Sequence, residues 1–139
     1  MTIPPYEFKV LEIDLCEMQG RFFELAAAQG YPMRKFVPAF MNSEIARRLD
    51  SPYSRYQWMG EEYMLHQVAR ECHLVPDQVP EKDEAYFWMG YLYRFWHFAL
   101  GESSEKMYKT ADFERMKRVY DGYHTLSCEM AISRLKAAG

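Results

Sequence analysis

Glu62 and His66 stand four residues apart, a spacing that lets two side chains on one helix reach the same point, as metal ligands do. A catalytic metal needs at least one more ligand, and His73 is two turns further on. A ferritin-like di-iron site requires Glu-x-x-His on two helices plus two more carboxylates. The pair here is one residue too long for that motif and has no second copy, so it reads as a solvated Glu–His contact, with no metal and no cofactor expected. Cys128 follows Ser127, a residue type that caps helices, and a thiol at a helix N-terminus has its pKa lowered by the dipole. His124, four residues earlier, is placed to act as its base. The competing reading buries Cys128 as a small apolar side chain, as Cys16 and Cys72 also read.

Arg118 and His124 form an Arg-x5-His pattern in an all-helical chain. That spacing falls in the range of HEPN-type ribonucleases, in which an Arg and a His act on RNA at a dimer interface. The chemistry is sensible, since the His moves protons while the Arg stabilises charge on a phosphorane-like transition state. This is the enzyme alternative. Residues 103–124 also read as a helix-turn-helix, which is the nucleic-acid alternative. Between Lys106 and Arg118 there are five basic residues (Lys106, Lys109, Arg115, Lys117, Arg118) against two acidic ones, a local charge of +3 that suits phosphates. No Gln, Asn or Ser cluster marks the second helix as a reader of bases, and two solvated amphipathic helices give the same pattern.

A third group of residues points to binding rather than to chemistry. Tyr53, Arg55, Tyr56, Gln57, Trp58 and Met59 crowd into one stretch, within the segment 31–60 that carries five basic and two acidic side chains. Tyr91, Tyr93, Arg94, Trp96 and His97 crowd into another. Tyr, Trp, Met and Arg are the residues enriched at protein interfaces. The expected partner surface is Tyr53, Arg55, Tyr56 and Trp58 together with the exposed side of Tyr93, Arg94, Trp96 and His97. Arg94, inside an aromatic helix, calls for a buried carboxylate partner.

These residues must be held by a fold that the composition already narrows. The 139 residues are 49% hydrophobic, with 11 Tyr, 9 Phe and 3 Trp, which excludes collagen-like and disordered chains. One domain, residues 1–139, is the expectation for this length. Three cysteines without a C-x-x-C pair make neither a closed disulfide set nor a Cys-rich zinc fold, and a reducing cytoplasm fits best. The net charge of −3 argues against a surface that grips nucleic acid throughout. The first residues lack the pattern of a secretory signal, and the longest apolar stretch, Ala85 to Gly101, is interrupted by Arg94 and His97 and is too short for a membrane span.

Periodicity predicts a helix from Pro5 to Gln29, with Phe8, Leu11, Leu15, Met18, Phe22 and Leu25 on one face and Gly20 marking a bend or a close approach. Arg34 to Phe36 reads as a short turn before Pro38, followed by a helix to Leu49 capped by Asn42 or Ser43. A long helix is expected over Arg55 to His73, with Trp58, Leu65, Val68, Ala69 and Cys72 as its apolar stripe. Leu74 to Asp83 is the clearest loop and the natural hinge. Glu84 to Leu100 is apolar nearly all round and reads as the central helix of a bundle. Helices over Ser104–Thr110, Phe113–Tyr123 and Cys128–Ala138 follow, with Ser103, Asp112 and Ser127 as N-caps. The fold class is all-α, a compact bundle of five to seven helices.

Two stretches carry a resemblance. One is Phe40-Met41-Asn42-Ser43-Glu44-Ile45-Ala46 with Leu49-Asp50, followed by Tyr56-Gln57-Trp58-Met59-Gly60-Glu61-Glu62-Tyr63. The other is Tyr93-Arg94-Phe95-Trp96-His97-Phe98 with Gly101-Glu102-Ser103-Ser104, continuing to Tyr108-Lys109 and His124-Thr125. Over roughly residues 40–135 the chain resembles a family of small, uncharacterised, all-helical bacterial proteins associated with toxin–antitoxin-type gene neighbourhoods. The resemblance implies a bacterial cytoplasmic protein with a partner-binding or regulatory role. The expected function is a non-enzymatic interaction or regulatory module, toxin–antitoxin-like or defence-linked, whose partner is another protein or a second copy of the chain. Nucleic acid is a possible but not favoured partner, and no membrane is expected.

Overall fold

The computed structural model describes residues 3–52 and 54–138; Tyr53 lies outside the described residues. Among them are eight α-helices, one 3-10 turn and no strand. The helices are α1 (Val10–Ala28), α2 (Met33–Met41), α3 (Glu44–Asp50), α4 (Glu61–Cys72), α5 (Glu84–Leu100), α6 (Ser104–Thr110), α7 (Phe113–Tyr123) and α8 (Cys128–Ala138). The all-α expectation holds, with one helix more than the upper count.

α5 is the axis of the molecule. It packs along α1 over most of its length and also touches α6, α7 and α8. The α1–α5 backbones come unusually close. A Cβ on Gly90 would lie 2.4 Å from the carbonyl oxygen of Gln19, and one on Gly20 would lie 2.7 Å from the ring of Phe87. Gly20 is thus the close approach that its place in the α1 pattern suggested, and Gly90 is its counterpart on α5.

Three boundaries differ from the sequence reading. α1 begins at Val10 rather than Pro5, with the Glu12 carboxylate accepting the Lys9 N–H at 3.0 Å to close the first turn. α2 runs through Pro38 instead of stopping before it. Its Phe36 and Phe40 rings meet Phe22 and Phe23 of α1 edge-on, with centroids 5.0–5.9 Å apart. That buried aromatic cluster outweighs the one hydrogen bond that proline removes. The long helix expected over Arg55 to His73 is two elements. A 3-10 turn, Arg55–Trp58, is capped by the Ser54 hydroxyl, and extended Met59 and Gly60 separate it from α4.

The caps of the C-terminal half fall where expected. Ser103 and Asp112 accept the N–H groups of Lys106 and Arg115, and the Ser127 hydroxyl accepts that of Met130. Ser43 caps α3, whose first N–H groups, those of Glu44 and Ile45, also reach the Glu71 carboxylate of α4. The loop 74–83 is not a free hinge. Its Gln78 and Glu81 N–H groups donate to the carbonyls of Gly30 and Ala27 at 2.9 and 3.0 Å, strapping it to the end of α1.

Candidate functional site

Arg94 is 2% exposed and stands on the inner face of α5. Its Nε donates to Gln19 Oε1 at 2.9 Å, and its Nη1 donates to Asp50 Oδ1 at 2.8 Å. Gln19 in turn donates its amide to the Gly90 carbonyl at 3.0 Å, at the point where α1 and α5 are closest. Asp50, the last residue of α3, also accepts the Ser104 hydroxyl at 2.9 Å and the Ser104 N–H at 2.8 Å, so it caps α6. The buried carboxylate that Arg94 called for is therefore Asp50. The sequence held a signal for it, since an acid in the last turn of a helix opposes the macrodipole and needs another reason to be there.

His97, one turn after Arg94, places Nδ1 2.6 Å from the Glu102 carbonyl. A carbonyl only accepts, so Nδ1 carries the proton of the neutral ring. Burial and then the Arg94 charge push the His97 pKa below its ordinary value. Glu102 pairs with Lys136 of α8 at 2.5 Å, and the Lys136 ammonium lies 5.8 Å from the centroid of Trp96. This network links α1, α3, α5, α6 and α8. Both Asp50 oxygens and Glu102 Oε2 accept internal donors, while Glu102 Oε1 and Arg94 Nη2 are buried without a partner among the described residues, so the network is a keystone of the packing that is mostly but not wholly satisfied.

The expected partner surface divides. Tyr93, Arg94 and Trp96 are buried, and so is Tyr56 at the foot of the 3-10 turn. They cannot present themselves to a partner in this structure, because an aromatic helix wrapped on several sides has little surface left. His97 is mostly enclosed as well. Tyr53 lies outside the described residues. Arg55 and Trp58 are exposed, Trp58 at 73%, and Tyr63 of α4 is 39% exposed near them in sequence. Trp58 was also assigned to an apolar helix stripe, and that placement fails because the chain is a 3-10 turn there, not a helix.

The five cations of the helix-turn-helix reading are mostly used internally. Arg115 donates to the carbonyls of Thr110 and Leu135, both at 2.7 Å. Lys117 pairs with Asp83 at 2.6 Å and lies 4.9 Å from the Tyr86 ring centroid. Lys109 lies 3.6 Å from Glu105. Of the five, only Lys106 and Arg118 have neither an ion pair nor a side-chain hydrogen bond among the described residues. Arg118 and His124, six residues apart, point about 120° from each other around the axis of α7. No hydrogen bond joins them; His124 instead stacks on Tyr120 and places Nδ1 2.8 Å from its carbonyl.

The thiol reading is corrected too. Burial pushes the Cys128 pKa up to about 11 and that of Cys16 to about 12, so desolvation overrides the helix dipole and neither is a ready nucleophile. Glu62 and His66 are exposed on α4, and no group of three metal-ligating side chains gathers among the described residues.

One site was missed by the sequence reading. Phe87, Trp88 and Tyr91 of α5 line an open groove of about 430 Å³ together with Tyr120 of α7, His124 at its C-cap, Glu24 and Glu84. Positions 84, 87, 88 and 91 share one face of α5, and His124 follows Tyr120 by one turn. The signal was that periodicity, hidden because α5 is apolar nearly all round. No helix among the described residues is long and apolar enough to cross a membrane. No family model matches the chain, and neither does any curated protein or solved structure.

Proposed function

We propose that this chain is a non-enzymatic interaction module that engages another protein through the surface around the 3-10 turn Arg55–Trp58. The observation that carries the reading is Trp58, 73% exposed at the head of that turn. A lone indole in water leaves a large apolar area uncovered, and Trp and Arg are the residues that most often anchor protein interfaces. Arg55, beside it, holds its guanidinium 5.7 Å from the ring centroid of Tyr56 and keeps its charge toward solvent. The turn is well braced, since Tyr56 is buried beneath it and the Ser54 hydroxyl caps it, so the indole is presented by a fixed support.

The loss of reactive groups elsewhere supports a binding role. Burial raises the pKa of the Cys16 and Cys128 thiols, Arg94 and Asp50 are paired with each other inside the fold, and Arg118 and His124 diverge. On the resemblance of residues 40–135 to small toxin–antitoxin-associated proteins, the proposed partner is a regulatory one. Site-specific photocrosslinking tests the reading. A photoreactive aromatic amino acid at position 58 should give one discrete adduct in cells, and the same group at Val79, 85% exposed in the loop 74–83, should not. An adduct of twice the chain mass would make the partner a second copy. Identical adducts from both positions, or none from position 58, would overturn the proposal.

A further inference from the structure

We propose that the groove between α5 and α7 is a binding site for a small methylated or quaternary ammonium compound, a function independent of the Trp58 surface. Four half-buried aromatic rings, Phe87, Trp88, Tyr91 and Tyr120, line one cavity of about 430 Å³. Trp88 and Tyr120 meet edge-to-face with centroids 5.6 Å apart, so two walls of the groove stand at an angle rather than collapsing onto each other. Phe87 reaches its place because Gly20 of α1 has no side chain to push it aside. Aromatic faces set at angles around a hollow are the arrangement that attracts a cation spreading its charge over methyl groups.

Charge complementarity selects the cation over a neutral apolar guest. Glu24 comes from α1 and Glu84 from the first turn of α5. Both are exposed, and among the described residues neither carboxylate has an ion pair or a side-chain hydrogen bond. They also line the adjoining hollow, of about 480 Å³, where Glu81 and Asp83 add acidic groups. Asp83 is neutralised by Lys117, and Lys82 is the one cation lining that hollow. The balance at the shared wall therefore stays negative. His124 stacks on Tyr120 and places Nδ1 2.8 Å from the Tyr120 carbonyl, so its ring extends the aromatic wall. The volume falls within the range of small-molecule sites and holds a choline-sized cation with room for water.

The three tryptophans make the test internally controlled. In the ¹⁵N-labelled protein, choline chloride should shift the indole signal of Trp88 saturably, at constant ionic strength. The signals of Trp96, buried, and Trp58, outside the groove, should stay in place. The neutral isostere 3,3-dimethyl-1-butanol should bind at least tenfold more weakly. The Glu24→Gln/Glu84→Gln variant should keep its thermal midpoint to within a few degrees, because neither carboxylate has a side-chain partner and only the α5 dipole is touched, and should lose at least tenfold in choline affinity. Equal binding of the neutral isostere would show an apolar hollow without cation selectivity and overturn the proposal. So would an unsaturable response, or shifts of Trp58 as large as those of Trp88.

Discussion

Arg94 is the residue whose removal the molecule should tolerate least. Arg94→Met leaves the Asp50 carboxylate and the Gln19 amide oxygen without their charged donor, a loss of about 3–5 kcal/mol. Adding Asp50→Asn to that variant removes the stranded charge and should restore part of the stability, which chemical denaturation of the single and double variants will measure. His97 supplies a pH dependence with a definite sign. Its folded pKa lies below the unfolded value of 6.5, so the unfolded chain binds more protons between the two. Stability is thus intact above about pH 6.5 and declines as the pH falls through the folded pKa. The thermal midpoint should drop more between about pH 7.5 and about pH 5.5 in the wild type than in His97→Asn, which keeps a donor for the Glu102 carbonyl. Equal drops would assign the acid sensitivity elsewhere. Iodoacetamide near neutral pH should label Cys128 no faster than Cys72, since both thiols are held above their usual pKa; preferential labelling of Cys128 would restore the nucleophile reading.

At the scale of elements, the tight α1–α5 contact makes its own forecast. Gly90→Ala drives a methyl into the Gln19 backbone, and with no side chain there to yield, the helices must separate. The cost should be at least about 1–3 kcal/mol, with the Arg94–Gln19 hydrogen bond weakened too, as a double-mutant cycle with Gln19→Ala would reveal. The same elements show what was readable beforehand. α5, α6, α7 and α8 were placed from Gly101 and the caps Ser103, Asp112 and Ser127, because these signals act within one turn of the helix they bound. α2 was not, because Pro38 is a local argument for stopping while Phe22 and Phe23, far off in the chain, argue for continuing. The break at Met59–Gly60 was missed for the opposite reason: the apolar spacing looked continuous, and only the placement of Tyr56 under its own turn shows that Trp58 has left the helix.

Across the whole molecule, composition showed that aromatic residues exceeded what a plain helical surface requires but not which of them lie inside. Tyr93 and Trp96 went to the core, whereas Trp58 went to solvent, and the groove of Trp88 and Tyr120 arose from two helices whose sequences never meet. Partner assignment depends on faces, and faces are set by packing between distant segments. Hydrogen exchange should report that packing directly. Amides of the mid-portions of α1 and α5 should exchange slowest, and those of Gln78 and Glu81 should be protected within an otherwise fast loop, since each donates to the end of α1. Fast exchange at both would return the loop to the role of hinge. The α1–α5 pairing also bears on how the chain is made. Gln19 waits for Gly90, 71 residues later, before its amide is satisfied. At a synthesis rate of about 5–20 residues per second, α1 leaves the ribosome roughly 4–14 s ahead of its main partner. Throughout that interval α1 has only α2 and then α4 to shelter against, so nascent chains halted before α5 should be held by chaperones and released once Leu100 has emerged.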